Sequence, residues 1–188
     1  AILDDGSVWC WGANYAAQLG NGTATGSRFS PPEGSRSTPA PTSSLGEGRT
    51  AVDISAGMFH TCAILDDGSV SCWGMDFFLG HESNGSSDPL PPTQTASLGE
   101  GRTAVKISAG TQVTCAILDD GSVVCWGQAP GSAGKIGDGT GEERASPTQT
   151  ASFGDGRTAT EISVGSYHAC AILDDGSVVC WGENNFAN

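Results

Sequence analysis

Val52-Asp53-Ile54-Ser55 alternates apolar and polar side chains, as a strand with one buried face does. Thr61–Leu65 follows as a short apolar, β-compatible run. Asp66-Asp67-Gly68 has the chemistry of a turn, and Ser69–Trp73 reads as the returning strand. Turn signals of this kind recur about every 8–12 residues around short β-branched runs, so the pattern predicts an all-β chain. No apolar run nears the ~18 residues of a membrane-spanning helix. No signal-peptide pattern is visible either.

The hairpin pattern is written four times: AILDDGSVWCWG at Ala1–Gly12, CAILDDGSVSCWG at Cys62–Gly74, and CAILDDGSVVCWG at Cys115–Gly127 and again at Cys170–Gly182. Its Trp residues fall at 11, 73, 126 and 181, spaced 62, 53 and 55 residues apart. Upstream, SLGEGRTAVDISAG (Ser44–Gly57), SLGEGRTAVKISAG (Ser97–Gly110) and SFGDGRTATEISVG (Ser152–Gly165) recur in step. A steady period of this length marks a repeat architecture. The Pro- and Ser-rich connections Ser30–Ser44 and Ser87–Thr95 read as loops or edge strands, because Pro cannot donate to a ladder. Each repeat then supplies three clear strands and a fourth at the Pro-rich connection, the content of one propeller blade. The chain is expected to be a single propeller segment over 1–188, with approximate repeats 1–43, 44–96, 97–151 and 152–188. The first and last are incomplete, leaving about three and a half four-stranded antiparallel blades. Because both ends fall inside repeats, an excerpt of a longer array is expected.

The turn fixes the hairpin register. A three-residue loop centred on Asp67, with Gly68 in the left-handed region, pairs Leu65 with Ser69, Ile64 with Val70 and Cys62 with Cys72. The cysteines then face each other at a non-hydrogen-bonded position, where Cα atoms approach to ~4.5 Å. That is close enough for a disulfide. Cys115 with Cys125 and Cys170 with Cys180 share the geometry, while Cys10 is the odd seventh, its expected partner lying before Ala1. Three disulfides are the leading expectation. Buried free thiols are the alternative, since cores accept Cys as a small apolar residue. Structural zinc wants four ligands and each blade offers two cysteines.

Composition adds exclusions. With 21 acidic and 8 basic residues the formal charge is −13, which repels nucleic-acid phosphates and anionic lipid. The pairs Asp4/Asp5, Asp66/Asp67, Asp119/Asp120 and Asp174/Asp175 resemble acid–base pairs, but they recur once per hairpin, which is the count a turn requires. They lack the DxDxDG spacing of a calcium loop. His60 and His168 hold equivalent places and are expected to pack or hydrogen-bond within their blades; His81 stands alone in a variable loop and is expected to be solvated. No nucleophile–His arrangement can be assembled from so few histidines. Gly131–Gly141 lacks the Gly-Lys-Ser/Thr ending of a phosphate loop. Trp11, Trp73, Trp126 and Trp181 are expected to pack between blades, and the Glu47/Arg49, Glu100/Arg102 and Asp155/Arg157 loops to bridge neighbouring blades. Trp9 differs, because the other copies carry Ser71, Val124 and Val179 there. With Phe77 and Phe78 it is a candidate partner contact, since aromatics carry much interface energy.

Gly57-Met58-Phe59-His60-Thr61-Cys62-Ala63-Ile64-Leu65, then Asp67-Gly68-Ser69-Val70 and Trp73-Gly74, resembles the repeat of the regulator of chromosome condensation family. Gln18-Leu19-Gly20-Asn21-Gly22 after Trp11-Gly12 is similar to that family's next signature. The resemblance implies β-propeller blades of four antiparallel strands, usually seven in a ring, so a full ring would need roughly twice this length. This sequence departs from the family pattern in three places. Paired cysteines are not usual in its nuclear and cytosolic members; Val113 replaces the histidine; and Met75–Gly80 (MDFFLG) degrades the Gln-Leu-Gly signature.

Taken together, the expected function is a non-catalytic module for protein–protein interaction or scaffolding, within a larger assembly, in an extracytoplasmic oxidising compartment where disulfides persist. The unequal connections Asn21–Ser44, His81–Thr95 and Gln128–Thr150 are the expected contact regions. By family analogy the alternatives are a guanine-nucleotide exchange factor for a small GTPase and a propeller-type enzyme inhibitor. No catalytic residue, metal, cofactor, nucleic acid, membrane insertion or small-molecule ligand is expected. Asn21 and Asn84 head candidate glycosylation sequons, with turn chemistry as the competing reading, because the third repeat writes Gly137-Asp138-Gly139-Thr140 in the corresponding place.

Overall fold

The computed structural model describes residues 1–23, 35–82, 89–127, 134–154 and 156–183. Strands β1 (Trp9–Gly12) and β2 (Arg36–Pro41) form a first, two-stranded sheet, flanked by a single bridge between Ile2 and Val8. In the second sheet β3 (Ala51–Ala56), β4 (His60–Leu65), β5 (Val70–Met75) and β6 (Pro89–Gln94) pair in chain order. The third repeats this with β7 (Ala104–Ala109), β8 (Thr114–Leu118), β9 (Val123–Gly127) and β10 (Arg144–Gln149), and the fourth holds β11 (Ala159–Val164), β12 (His168–Leu173) and β13 (Val178–Gly182). Every pairing is antiparallel. The fold is all-β, a partial propeller.

The hairpin register is the one its turn dictates, with Ile64 opposite Val70, Ala63 opposite Ser71 and Cys62 opposite Cys72. Gly68 takes φ 77°, a left-handed conformation that a Cβ would strain. Cys62–Cys72, Cys115–Cys125 and Cys170–Cys180 are disulfides, each with Cα atoms 4.1 Å apart. This is slightly inside the ~4.5 Å of a non-hydrogen-bonded pair on neighbouring strands. Cys10 is a free thiol.

One strand departs from the sequence pattern. Ala51 pairs with Leu65 and Asp53 with Ile64, so Val52 is an extra, bulged residue and turns outward at 62 % exposure. Val105 bulges in the same way. The apolar–polar alternation therefore does not bury Val52, because the bulge breaks its period.

The core lies between sheets. One cluster joins Cys62, Ile64, Val70 and Cys72 of the second sheet to Ala104, Ile107, Ala116 and Trp126 of the third. Another joins Val113, Cys115, Ile117 and Cys125 to Ala159, Ala169, Ala171 and Leu173 of the fourth. Each sheet thus covers its neighbour's face. At their inner edges the first strands are tied together: Ser55 Oγ accepts the Ala109 N–H (2.8 Å) and Ser108 Oγ accepts that of Val164 (3.0 Å).

Candidate functional site

Antiparallel order sorts the connections into two rims. The hairpin turns and the SLGEGRT-type loops share one rim. The β3–β4 type turns share the other with the variable connections that follow β1, β5 and β9.

The first rim is stereotyped. Asp67 Oδ1 accepts the Ser69 N–H (3.0 Å) and hydroxyl (2.6 Å), and Asp66 Oδ1 accepts the Thr50 N–H (3.2 Å). Arg49 lies 3.2 Å from Asp66 and 2.9 Å from Asp67, and Arg102 makes the same fork on Asp119 and Asp120. The Ser69 hydroxyl, foremost, holds the Asp67 carboxyl below its ordinary range, and Ser122 and Ser177 do so for Asp120 and Asp175. A general acid at neutral pH needs the opposite shift. These carboxylates are structural.

The arginines do not bridge blades as expected: Arg49 and Asp66 belong to one sheet. The stitch to the next blade is backbone instead. The Ala104 N–H donates to the Gly68 carbonyl (2.8 Å), and Ala51 and Ala159 do so to Gly6 and Gly121. Approach is tight enough that a Cβ on Gly68 would fall 2.4 Å from Thr103 Cβ.

At the second rim the Gln-Leu-Gly loop of one blade caps the Trp of the next. Trp73 Nε1 donates to the Gln18 carbonyl (2.9 Å), and Trp181 Nε1 to that of Lys135 (3.1 Å). Trp126 is buried beneath Gly80, but its Nε1 has no partner among the described residues. Trp11 differs from its three counterparts: it is 51 % exposed.

Several expected roles are reassigned here. Phe78 is no partner contact, because a 3₁₀ turn over Asp76–Phe78 buries it against Phe59 and His60, with Phe77 partly buried in the same cluster. Trp9 is half-buried and donates to Ser7 Oγ (3.2 Å). His81 is not simply solvated; its Nε2 lies 3.1 Å from a carboxylate oxygen of buried Asp76. His60 bonds between blades rather than within one. It is fully buried, with Nε2 2.6 Å from Thr114 Oγ1 of the next sheet. Burial drives its pKa down to about 4. Where the third blade has Val113 instead, the facing residue is Ala169, so a polar pair gives way to an apolar one.

Asn21 closes a turn, its Oδ1 accepting the Thr23 N–H and hydroxyl, and its Nδ2 is buried, so a glycan there would require this loop to open. Asn84 lies outside the described residues. Burial also raises the Cys10 thiol pKa. Among the described residues no three His, Cys, Asp or Glu side chains gather as metal ligands, and no helix is long and apolar enough to cross a membrane.

The exposed side chains of the second rim are others. Met58 and Tyr167 are each 49 % exposed on the β3–β4 and β11–β12 turns. Their positions vary inside an otherwise repeated segment: Met58 corresponds to Thr111 and Ser166, and Phe59 to Gln112 and Tyr167. Tyr15 Oη and Gln18 Nε2 both donate to the Met58 carbonyl, joining the first variable loop to that turn. Lys135, almost fully buried, pairs with Glu183 (3.2 Å) and lies 4.9 Å over the Tyr167 ring.

Stacked antiparallel sheets, two of them complete with four strands, a loop capping a Trp at each junction and one uniform rim opposite one variable rim define a β-propeller repeat protein. Two family profiles, both described as "Regulator of chromosome condensation (RCC1) repeat", match it, one at residues 5–64 and the other at 51–78, 104–129 and 159–187. The chain belongs to the RCC1 repeat family. It is 27 % identical over 187 residues to the human E3 ubiquitin-protein ligase HERC2, covering 98 % of this chain and 4 % of that protein. To the Arabidopsis thaliana ultraviolet-B receptor UVR8 it is 29 % identical over 186 residues, covering 99 % of this chain and 39 % of the receptor. Among solved structures, yeast RCC1 (Prp20) bound to Kap60 superposes with a TM-score of 0.74 at 24 % identity, over 97 % of this chain and 41 % of the other. Human WBSCR16 gives 0.76 at 20 %, over 97 % and 44 %. These structural likenesses show the fold. The chain spans less than half the length of each of these relatives.

Proposed function

We propose that this propeller segment is a non-catalytic scaffold that binds a protein partner through its second rim, in an oxidising extracytoplasmic compartment. The observation that carries the reading is the inequality of the two rims. One spends its side chains on the fold, with Arg49, Asp66 and Asp67 closing on each other in a fixed pattern. The other presents connections of unequal length and exposed, non-repeating side chains such as Met58 and Tyr167. Repeat proteins keep scaffold positions uniform and vary the surface that chooses a partner. Three disulfides, Cys62–Cys72 and Cys115–Cys125 among them fully buried, support the compartment, since reducing compartments keep such thiols free.

The test is proximity labelling in the secretory pathway with the full natural polypeptide, comparing Met58→Glu/Tyr167→Glu with Glu47→Lys/Glu100→Lys. Loss of the labelled neighbour in the first variant alone is expected. Loss in the second alone would reassign the binding rim. Alkylation before lysis reads the compartment: free Cys62, Cys115 and Cys170 would place the protein in a reducing environment and favour the exchange-factor reading.

A further inference from the structure

Asn21, on the first variable connection, has its counterpart in Asp138 on the third. Both precede a glycine in the left-handed region, Gly22 at φ 75° and Gly139 at φ 81°, and both close the same turn. Asp138 Oδ1 accepts the Thr140 N–H (3.0 Å) and hydroxyl (2.8 Å), as Asn21 Oδ1 accepts those of Thr23 (3.1 and 2.7 Å). The other side-chain atom separates the two. Asp138 Oδ2 is clasped by Arg144, whose Nε and one terminal nitrogen each lie 2.8 Å away. Arg36 holds the register place of Arg144, since it pairs with Gly12 as Arg144 pairs with Gly127. The first blade thus carries the arginine without its carboxylate. Asn21 Nδ2 is buried with no partner, and Arg36 is exposed, in no ion pair among the described residues.

The same turn prepares Asn21 to lose that nitrogen. Closing a succinimide requires a free backbone nitrogen, an electrophilic side-chain carbonyl and an unheld leaving group. Gly22 has no Cβ to hinder attack, and its N–H donates to nothing among the described residues. Asn21 Oδ1 takes a third donor, Asn14 Nδ2 (3.2 Å), besides the two of Thr23. Donors on a carbonyl oxygen stabilise the charge that attack places there. Nδ2 is the unheld group. A glycosyltransferase would have to reach this buried nitrogen from outside, whereas cyclisation is internal to the chain.

We propose that Asn21 is a self-modifying site, which deamidates to aspartate and then captures Arg36 as Asp138 holds Arg144. The Gly22 nitrogen bonds to Asn21 Cγ and gives up its proton, and the Cγ–Nδ2 bond breaks with release of ammonia. Water then adds at Cγ, the ring Cγ–N bond breaks, and the Gly22 nitrogen regains a proton. A carboxylate remains on an unaltered backbone. Arginine binds it with charge-assisted bonds that an amide nitrogen cannot accept. Ring opening at the main-chain carbonyl would give isoaspartate, whose extra backbone carbon displaces the turn that Thr23 closes. The conversion runs one way and turns an open connection of the second rim into a clamped one.

The folded chain and the chain in guanidinium chloride are incubated in mildly alkaline heavy-oxygen water and mapped by peptide mass. Each conversion loses ammonia and gains one labelled oxygen. Conversion at Asn21 should be about tenfold faster in the folded chain, where the reacting groups are held together, with aspartate exceeding isoaspartate. Slower conversion when folded, or isoaspartate as the main product, would overturn the site. So would a glycan on Asn21 of the natural protein. Capture is read separately by urea midpoint. Asn21→Asp should raise the midpoint, and adding Arg36→Ala should abolish the gain, while Arg36→Ala alone leaves the parent unchanged. A gain that survives loss of Arg36, or no gain at all, would refute the clasp.

Discussion

Acid should loosen the junction between the second and third sheets, and His60 sets by how much. Its ring is fully buried, Nε2 is shared with Thr114, and Nδ1 has no partner among the described residues. Burial disfavours the charged form, so the folded-state pKa falls from 6.5 to about 4. Above pH 6.5 the ring is neutral whether folded or unfolded and costs nothing. Below it the unfolded chain binds a proton that the folded chain refuses, and stability falls until the folded ring titrates near pH 4. At ~1.4 kcal/mol per pH unit the full loss is about 3 kcal/mol, a large part of the ~5–15 kcal/mol of a typical domain. Urea unfolding from pH 7.5 to 4, followed by fluorescence of the buried Trp73 and Trp126, measures it. The control is His60→Val/Thr114→Ala, which copies the Val113–Ala169 pair of the next junction. The double variant should lack this slope, diverging from the parent by about 3 kcal/mol at pH 4. Parallel pH profiles for the two proteins would refute the reasoning.

Three further outcomes follow from the junctions and hairpins. Gly68→Ala must both strain a left-handed residue and push Thr103 aside, whereas a Cβ on Gly176 meets nothing within 4 Å. The first should cost ~2 kcal/mol more than the second by urea midpoint. Trp73→Phe removes a hydrogen bond to Gln18 that Trp126→Phe does not, so, by the same titration, it should cost about 1 kcal/mol more in that component. Cys115→Ala/Cys125→Ala opens a loop of sequence separation 10 and should destabilise by about 3 kcal/mol in the chain-entropy picture. Intact mass of the parent should rise by six daltons on full reduction, as two hydrogens per bridge require.

The hairpins were legible because their turns are chemically explicit: once Asp67 and Gly68 fix a three-residue loop, the Cys62–Cys72 pairing is forced. The bulge at Val52 was not, since a period-two alternation looks the same with or without an extra residue until the partner strand is known. The Arg49 loop contacts its own hairpin, a choice between two adjacent sheets that sequence spacing does not encode. Phe77-Phe78 read as an exposed anchor because its segment had lost the Gln-Leu-Gly pattern. The backbone instead makes a tight turn that carries Phe78 inward. Met58 and Tyr167 did leave a signal, as odd residues within a repeated stretch, but that signal is weaker than a run of aromatics.

Each disulfide staples two strands of one sheet, and none joins one sheet to the next. Under tension applied along the polypeptide, neighbouring leaves would therefore separate before any staple is loaded, peeling one after another. Each of the three stapled leaves would then withhold the segment between its cysteines, 10 residues in separation, or roughly 35 Å of contour at full extension. Adding reductant during such pulling would lengthen each step by that amount, a ruler written into the molecule once per turn of its pattern.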